Sequence, residues 1–464
     1  MRHHDLIIVG SGSGNRIADK TLRHLDIAIV EESTFGGTCS NVGCIPTKML
    51  VHTADVAAAA RDSSRFGIDA RVDKVRWADI RERIFGRRID PISVSGRRYR
   101  QEGPNTTLYE QHVEFTGPRR LRLASGEQIS ADRIVLAAGS RAVIPDLVGL
   151  DGVDPDRVHT SDTVMRIDDL PASMVIVGGG VIAAEMAHVF SALGTAVTVV
   201  ARSELLLRDE DDDVRERFTA VAARQWDLRG SRLTSRVEPT SHGVRLHLED
   251  PNGRADPRTA SGEILLIATG RTPNSDRLNL AAGGIDVHED GRVVVDDYQQ
   301  TTADGVFALG DLSSPWELKH VANHEARVVQ HNLLHPDAMT RSDHRFVPRA
   351  VFSHPQIASV GAKERDLVEA GVRYVSGARD YGSVAYGWAM EDTTGFAKVL
   401  ADPDTGLFLG AHLVGPQASS LIQPLIQAMS FGLSAKEMAR GQYWIHPALA
   451  EVVENAVLAL PLTP

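Results

Sequence analysis

Residues 6–15 read LIIVGSGSGN, an apolar run that passes directly into a glycine-rich turn. The run shows no polar alternation, so it predicts a short, fully buried strand of a parallel sheet. A short polar helix is predicted next, to about Leu25, and a second apolar strand at residues 27–30 ends in Glu31. This acid stands 21 positions after the first glycine, the spacing of a dinucleotide site in which the glycines admit a pyrophosphate and the acid binds a ribose. Asn15 holds the third glycine position, so we expect the packing of helix against strand to differ there.

The same pattern recurs near the middle of the chain, with a different ending. A strand at residues 175–177 leads into GGGVIA at residues 178–183, and a helix is predicted from there to about Leu193. The next strand ends not in an acid but at Arg202, with Arg208 six positions later. An acid at that place binds the free ribose hydroxyls of NAD, whereas arginines suit a ribose that carries a phosphate. The pattern favours NADPH over NADH, unless both arginines are only solvated surface charges.

Each glycine turn is matched further along the chain by a strand that ends in small residues. The first reads IVLAAGS at residues 134–140, and the second reads ILLIATGR at residues 264–271. Such a turn permits close approach of the backbone to a cofactor, although an ordinary turn of an α/β domain would look the same. Because the glycine turn and the closing turn both occur twice, the repeat predicts two nucleotide-binding domains of one fold.

The only two cysteines of the chain, Cys39 and Cys44, stand within GGTCSNVGCIPTK at residues 36–48. The glycines, asparagine and proline around them suit a bent backbone that enters a helix, where two thiols can approach closely enough to bond. One interpretation is a redox-active dithiol that cycles between open and closed. The other is a pair of buried structural cysteines, because cysteine often serves as a small apolar residue. The spacing alone leaves both interpretations open.

Length and composition limit the class of protein. The 464 residues suggest about three domains, and 42% apolar with 24% charged residues is typical of a soluble globular protein. A net charge of −11 disfavours nucleic acid or an anionic membrane as a partner, and the acidic run at residues 209–213 is predicted to be a solvated surface. The apolar runs are too short for a signal-peptide core or a membrane span. We therefore expect a cytoplasmic protein, in which a disulfide is more often catalytic than structural.

The C-terminal half carries further candidates. Asp311 follows a strand-end glycine and is well placed to bind a cofactor hydroxyl. A helix is predicted over residues 318–334, and its N-terminus offers a positive dipole to an electron-rich ring, although His320 there could be only a cap. From about residue 346 the pattern changes to that of an α+β domain.

The tail of the chain contains a possible acid/base pair. His446 precedes Pro447, which is predicted to open a helix at its first position. Glu451 lies five residues after His446, near one helical turn away. A histidine oriented by a carboxylate is a general acid/base pair, but a single pair of this kind is more often structural.

Together, these residues resemble the glutathione-reductase-like flavoprotein disulfide reductases over essentially the whole chain. The most specific matches are the dithiol segment at residues 36–48, the two glycine turns, Asp311 after its glycine, and His446 with Glu451. Cofactor-binding folds of other kinds reproduce one or two of these features, but not all of them in this order.

The resemblance implies an α/β fold with two Rossmann-like dinucleotide-binding domains and a C-terminal α+β dimerisation domain. FAD would bind a discontinuous domain of residues 1–148 and 275–345, and NADPH would bind residues 149–274. Residues 346–464 would form the interface of a homodimer. The implied reaction is the NADPH-dependent reduction of a low-molecular-weight disulfide.

The resemblance also implies roles for individual residues. Cys44 would be the thiol against the flavin, and Cys39 the interchange thiol that faces the substrate. Lys48 and Glu185 would lie near the reactive flavin nitrogen. The residues expected to contact FAD or NADPH, from the motifs and the resemblance together, are Gly10, Gly12, Gly14, Glu31, Thr38, Lys48, Val113, Gly139, Asp311, His320, Gly178, Gly180, Ala183, Glu185, Arg202, Arg208 and Gly270.

The acid/base pair is implied to act across the dimer, so that His446 and Glu451 serve the partner subunit's Cys39 and the two active sites are shared. Two alternatives stay open. A dihydrolipoamide dehydrogenase shares the dithiol and the histidine–glutamate pair, but it normally carries an acid where Arg202 stands. A non-catalytic, redox-sensing flavoprotein is a different class, and the intact dithiol, both glycine turns and the acid/base pair argue against it.

Overall fold

The computed structural model describes residues 1–251, 253 and 258–462. The N-terminal part is built on a seven-stranded sheet. At its centre the predicted first strand, Arg2–Val9, pairs in parallel with Ile27–Val30 on one side and Gln128–Leu136 on the other. The apolar ends of these strands are buried on both faces, which explains their lack of alternation. The other strands of this sheet are Thr106–Tyr109, Val113–Gly117, Arg120–Leu123 and Val306–Ala308.

The prediction of a helix after the first glycine turn is wrong. The segment forms two 3₁₀ turns, Gly14–Arg16 and Lys20–Leu22, because Asp19 between them is extended and its side chain caps the second turn. Arg100 reinforces this arrangement, since it donates to the backbone carbonyl and to the side-chain oxygen of Asn15, both at 2.7 Å. A carbonyl that an α-helix would use is therefore already bonded.

The other helices predicted in this part are confirmed. The stretch at residues 49–61 lies within a longer helix, and the stretch at residues 77–100 is one continuous helical segment with a π-helical middle. The helices of the N-terminal part are Gly37–Asn41, Cys44–Asp62, Trp77–Arg81, the π-helical Glu82–Ile89, Asp90–Gln101 and Lys319–Leu334.

The prediction of antiparallel strands across residues 107–136 is correct only from Val113 onward. The first strand of that region, Thr106–Tyr109, instead lies parallel to Ile27–Val30. The intervening helices return the chain to the same end of the sheet, and a crossover of this kind produces parallel pairing.

The middle of the chain repeats the architecture with a five-stranded parallel sheet. The helix Val181–Leu193 follows the second glycine turn as predicted, and Gly194 ends it with a φ of 113°. The strands, in spatial order, are Asp227–Arg229, Ala196–Val200, Ser173–Val177, Ile264–Ile267 and Val158–His159. This part also contains the helix Asp212–Gln225 and an antiparallel sheet of Leu233–Thr240, Gly243–Glu249 and Arg258–Gly262. A short antiparallel pair, Ser140–Ala142 with Arg271–Pro273, joins the first two parts.

The C-terminal part is α+β, as predicted. Its five-stranded antiparallel sheet has the spatial order Arg349–Val351, Ile357–Gly361, Phe408–Val414, Phe396–Ala401 and Val375–Asp380. Its helices are Glu364–Glu369, Ala385–Ala389, Ala418–Leu421, Gln423–Phe431, Ala435–Arg440 and Ala450–Leu458. Within the described ranges, no helix combines the length and the hydropathy needed to cross a membrane.

Pro447 does not open the last helix, so that prediction is wrong. The helix begins at Ala450, and the carboxylate of Glu451 in its first turn accepts the backbone N–H of Ala448 at 3.1 Å. This hydrogen bond holds residues 447–449 as a turn ahead of the helix.

One apolar core fixes the dithiol helix against the other parts. Leu50 of the helix Cys44–Asp62 belongs to the same buried cluster as Ala184 of the middle part and Phe396 of the C-terminal part. Because buried side chains are packed at close to crystalline density, this cluster determines where the residues at the start of the helix lie.

Candidate active site

The two glycine turns have closely similar backbone surroundings. Gly10 has a φ of +103° and Gly178 a φ of +144°, and a Cβ on either would lie 2.2 Å from a carbonyl oxygen, that of Ala137 or of Ala268. Any side chain would therefore clash at the equivalent strand end in both parts. The repeat seen in the sequence is thus a repeat of three-dimensional structure.

The predicted nucleotide sites border open space. A Cβ on Gly139, Gly180 or Gly270 would meet no atom within 4 Å, so backbone at the mouth of each turn can be approached by a ligand. Gly14 differs, because a Cβ there would lie 2.7 Å from that of Ala137. Bare, accessible backbone at a turn is what binding of a pyrophosphate requires, and the residues present fit a dinucleotide in both parts.

Glu31 is hydrogen-bonded to the first glycine turn. Its carboxylate is buried and accepts the N–H and hydroxyl of Ser11 at 2.9 and 2.6 Å, and those of Ser33 at 2.9 and 3.0 Å. The hydroxyl of Ser11 in turn accepts the N–H of Gly36 at 2.8 Å. The acid at the end of the second strand therefore links the glycine turn to the segment that carries the cysteines.

A chain of hydrogen bonds connects the two closing turns. Ser140 donates its hydroxyl to the carboxylate of Asp311 at 2.7 Å. Arg271, which follows Gly270 of the second closing turn, donates to the hydroxyl and the carbonyl of Ser140 at 2.8 and 2.7 Å. Asp311 is thus fixed at the place where the first two parts of the chain meet.

The dithiol lies where the first glycine turn meets the long helix. Cys39 belongs to the short helix Gly37–Asn41, and Cys44 is the first residue of the helix Cys44–Asp62. Gly37 has a φ of +71°, and a Cβ there would lie 2.7 Å from the Cα of Gly12. The cysteine segment is therefore in direct contact with the first turn, and this contact requires glycine at position 37.

The two thiols differ in acidity. A hydrogen bond with Cys44, helped by the charges of Lys319 and Lys48 and opposed by burial, lowers the pKa of Cys39 to about 7. The same hydrogen bond, together with burial, raises the pKa of Cys44. Cys39 is therefore the thiol that ionises near neutral pH, and the thiolate is the nucleophilic form.

Lys319 is a charged residue near the dithiol that sequence reasoning missed. It is the first residue of the helix Lys319–Leu334, and its Nζ donates to the hydroxyl of Ser13 in the first glycine turn at 2.9 Å. The only available signal was its place at the predicted start of that helix. The side chain brings a positive charge to the turn that contacts the cysteine segment.

Lys48 and Glu185 form an ion pair between two helices. The Nζ of Lys48 lies 2.5 Å from Oε1 of Glu185, whose side chain is 7% exposed. The backbone N–H of Phe352 donates to the same oxygen at 3.0 Å, and the Phe352 ring centre lies 4.3 Å from the ammonium. All three parts of the chain therefore fix this pair, one helical turn beyond Cys44.

Arg202 and Arg208 lie beside the second glycine turn. The N–H of Leu207 donates to the carbonyl of Gly179 at 2.8 Å, which holds this segment against the turn. Both arginines are exposed, so neither side chain is part of the core. Arg208 forms a long, exposed ion pair with Asp209 at 3.8 Å, a weak contact that an anionic ligand at that turn can replace.

The acidic run at residues 209–213 is only partly the solvated surface that we predicted. Glu210 and Asp211 are 3% and 1% exposed. Lys398 of the C-terminal part donates to Asp211 at 2.9 Å and to Asp213 at 2.6 Å. Asp209, Asp212 and Asp213 stay exposed, and the burial of Asp211 is possible because its countercharge comes from a different part of the chain.

His446 and Glu451 form the predicted pair. The Nδ1 of His446 lies 2.7 Å from Oε1 of Glu451, and the histidine side chain is 71% exposed. The hydrogen bond from His446 lowers the pKa of Glu451. Among the described residues no hydrogen bond joins His446 to Cys39 of the same chain.

Four residues predicted to contact a cofactor have side chains that are packed in a core, hydrogen-bonded elsewhere or exposed. Val113 and Ala183 are 3% and 1% exposed and lie in apolar cores. The ring of His320 is hydrogen-bonded to the carbonyl of Pro348 at 2.8 Å. Thr38 is exposed, directly before Cys39.

An acidic thiol beside one nucleotide turn, and a second such turn with exposed arginines, are the features of a flavin- and nicotinamide-dependent disulfide oxidoreductase. The chain belongs to the pyridine nucleotide-disulphide oxidoreductase family, whose model matches residues 4–326. The model of the family's dimerisation domain matches residues 347–457. The protein is accordingly an FAD-containing, NAD(P)H-dependent enzyme of this class, and the predicted fold class is confirmed.

Similar proteins extend over nearly the whole chain. A mycothione reductase from Mycobacterium tuberculosis is 55% identical over 469 aligned residues, which cover 99% of this chain and 100% of that protein. A dihydrolipoyl dehydrogenase from Halobacterium salinarum is 32% identical and covers 97% of this chain and 95% of its own. Among solved structures, the Cu(II) complex of the HOCl-induced flavoprotein disulfide reductase RclA from Escherichia coli has a TM-score of 0.87 at 26% identity, covering 99% of each chain.

Proposed function

We propose that this protein reduces mycothione, the disulfide of mycothiol, with electrons from NADPH. The observation that carries the proposal is the unequal Cys39–Cys44 pair, in which one thiol ionises near neutral pH beside the first nucleotide turn. The identity of 55% to a mycothione reductase over 99% of the chain supports the choice of substrate. The open arginines beside the second turn support NADPH over NADH.

We assign FAD to residues 1–148 and 275–345, and NADPH to residues 149–274. The first assignment rests on Glu31, an acid suited to a ribose with free hydroxyls, and the second on the arginines that replace it in the repeat. FAD, when bound, supplies the two-electron chemistry between NADPH and the dithiol. Residues 346–464 are assigned to contact between subunits, which the match to the family's dimerisation domain supports.

Lys48 holds a positive charge one helical turn from Cys44. Glu185 and the backbone of Phe352 fix this ammonium in place. A fixed positive charge favours the ionised forms of nearby groups, including the thiolate that is needed for exchange. We therefore assign Lys48 and Glu185 to tuning the charge beside the reacting sulfur atoms.

The exchange with substrate begins at Cys39. Its thiolate attacks one sulfur of the substrate disulfide, so that a mixed disulfide forms and the first thiol leaves with a proton from His446 of the partner subunit. Cys44 then attacks the sulfur of Cys39, the Cys39–Cys44 bond forms and the second thiol leaves. The sum is NADPH, a proton and one disulfide converted to NADP⁺ and two thiols.

We propose that the enzyme is a homodimer with shared active sites. His446 is mostly exposed and bonded to Glu451, which orients the ring as the carboxylate of a catalytic triad does. An oriented, exposed imidazole with no hydrogen bond to its own Cys39 among the described residues is suited to a neighbouring subunit. We place the reaction in the cytoplasm, because a cycling dithiol suits a reducing compartment.

A substrate panel tests the proposal. Oxidation of NADPH and of NADH is measured with mycothione, glutathione disulfide and lipoamide, with Cys39→Ser as the inactive control. We expect kcat/KM for mycothione with NADPH to exceed every other combination by about tenfold or more. Preference for lipoamide with NADH would instead indicate a dihydrolipoamide dehydrogenase, and turnover of none of the disulfides would indicate a redox-sensing flavoprotein.

A further inference from the structure

We propose that Arg365, supported by Lys398, positions the arginine arm for the 2′-phosphate of the coenzyme. The arginine arm is the segment of residues 202–211, between the strand Ala196–Val200 and the helix Asp212–Gln225. The inference rests on the proposed use of NADPH. It assigns a role in coenzyme recognition to residues of the C-terminal part, which lie far along the chain from the nucleotide turn.

The arm is anchored at its far end by Asp211. This residue is 1% exposed and caps the following helix. One carboxylate oxygen accepts the ammonium of Lys398 at 2.9 Å, and the other accepts the N–H of Glu364 at 3.0 Å. The end of the arm is therefore attached to both a strand and a helix of the C-terminal part.

Arg365 holds the middle of the arm by its backbone. One nitrogen of its guanidinium lies 2.5 Å from the carboxylate of Asp212, and another donates to the carbonyl of Arg208 at 2.9 Å. The side chain of Arg208 is left 69% exposed. Arg365 thus fixes the backbone from which the Arg208 guanidinium extends, without occupying that guanidinium.

The same contacts reduce the negative charge beside the arginine arm. The run at residues 209–213 carries five carboxylates, which would repel a phosphate at the arm. Lys398 bonds two of them, Asp211 and Asp213, and Arg365 pairs with a third, Asp212. Opposite charges at such distances largely cancel each other's field. Of the other two acids, Glu210 is 3% exposed, and Asp209 forms an exposed ion pair with Arg208 at 3.8 Å.

Lys398 is less suitable for substitution than Arg365. Its side chain is 4% exposed and contacts three carboxylates. Burial alone would lower its pKa, but the hydrogen bonds to those carboxylates raise it. Removal of this cation would leave buried carboxylates unpaired and destabilise the fold. Arg365 is 31% exposed, so its replacement leaves the core intact.

The test compares two small ligands on the FAD-loaded enzyme. Adenosine 2′,5′-bisphosphate carries the 2′-phosphate, and 5′-AMP lacks it. Dissociation constants are measured by titration calorimetry for the wild type, for Arg365→Met and for Arg373→Met. Arg373 is an exposed arginine of the same C-terminal part that pairs with Asp404, so it is a matched control for charge.

We expect the wild type to prefer the bisphosphate. Arg365→Met should weaken bisphosphate binding about fivefold and leave 5′-AMP within about twofold, the size expected for one positioned charged contact. The control should match the wild type. A wild type without preference would refute the proposed use of NADPH itself. A wild-type preference that Arg365→Met leaves unchanged, or equal losses for both ligands, would refute the positioning role alone.

Discussion

The two glycine turns share a backbone and differ in their surroundings. In each, the first glycine approaches a carbonyl so closely that no side chain fits, at Ala137 in one and Ala268 in the other. The first turn continues into 3₁₀ turns, and its second strand ends in an acid bonded to two serines. The second opens an α-helix of 13 residues, and its strand leads to exposed arginines.

This difference separates two properties of a nucleotide site. The shared backbone admits a pyrophosphate, whereas the residue at the end of the second strand selects the ribose. The two turns also differ in whether they contact the cysteine segment. The first turn is in contact with the cysteine segment through Gly12 and Gly37, so the nucleotide at the first turn is the one placed to exchange electrons with the dithiol.

The largest effect is expected at Cys39, the thiol that is proposed to attack the substrate. Cys39→Ser removes the proposed nucleophile, so disulfide turnover should fall by about 10⁴-fold. Reduction of the bound FAD by NADPH depends on the turns and should stay within about threefold of the wild type. Rapid-reaction absorbance measures the flavin step, and a steady-state assay measures turnover. Retained turnover would show that the attacking thiol has been assigned wrongly.

The second turn can be made to resemble the first. Arg202→Glu combined with Arg208→Ala places an acid after the strand and removes both cations, so the ratio of kcat/KM for NADPH to that for NADH should fall by about 100-fold. Arg224→Glu, at an exposed arginine of the neighbouring helix, makes the same charge change as the first substitution and should leave the ratio unchanged. A ratio that stays constant in the double variant would mean that the two turns do not differ in ribose selection.

A smaller effect is expected for the charge that Lys319 brings to the first turn. The pKa of Cys39 is lowered to about 7, so its thiolate forms as pH rises through that value, and kcat/KM for the disulfide should fall below it. Lys319→Met removes one cause of the lowering, so the acid limb should move to higher pH, with about a threefold loss at neutral pH. The pH profile of kcat/KM measures the shift.

Lys20→Met serves as the matched control, because Lys20 is an exposed lysine of the same part of the chain. Its profile should coincide with that of the wild type. An identical shift in both variants would reduce the role of Lys319 to general surface charge, and no shift in Lys319→Met would remove it from the site.

Much of this architecture could be predicted because its signals are local. Strand, glycine turn and second strand are adjacent in the chain, and the repeat at residues 178–200 follows the same rule. The dithiol segment could be recognised as unusual, but the spacing of its cysteines did not distinguish the two thiols. Their difference in acidity depends on Lys48 and Lys319, and the second of these lies 280 positions after Cys39.

Two of the wrong predictions share a cause. The first helix becomes 3₁₀ turns partly because Arg100, 85 positions later, bonds Asn15. Asp211 of the acidic run is buried because Lys398, 187 positions later in the chain, neutralises it. A sequence pattern reports on residues that are neighbours in the chain, whereas these outcomes depend on single side chains from distant segments that the fold brings into contact.

The most direct measurement counts thiols. The chain has only two cysteines, so thiols titrated after anaerobic denaturation report on the dithiol alone. Air-oxidised, FAD-loaded enzyme should yield essentially none, and enzyme first treated with one equivalent of NADPH should yield two per chain, because one disulfide accepts two electrons. Two thiols before NADPH is added, or none afterwards, would contradict a Cys39–Cys44 disulfide that receives electrons from the coenzyme.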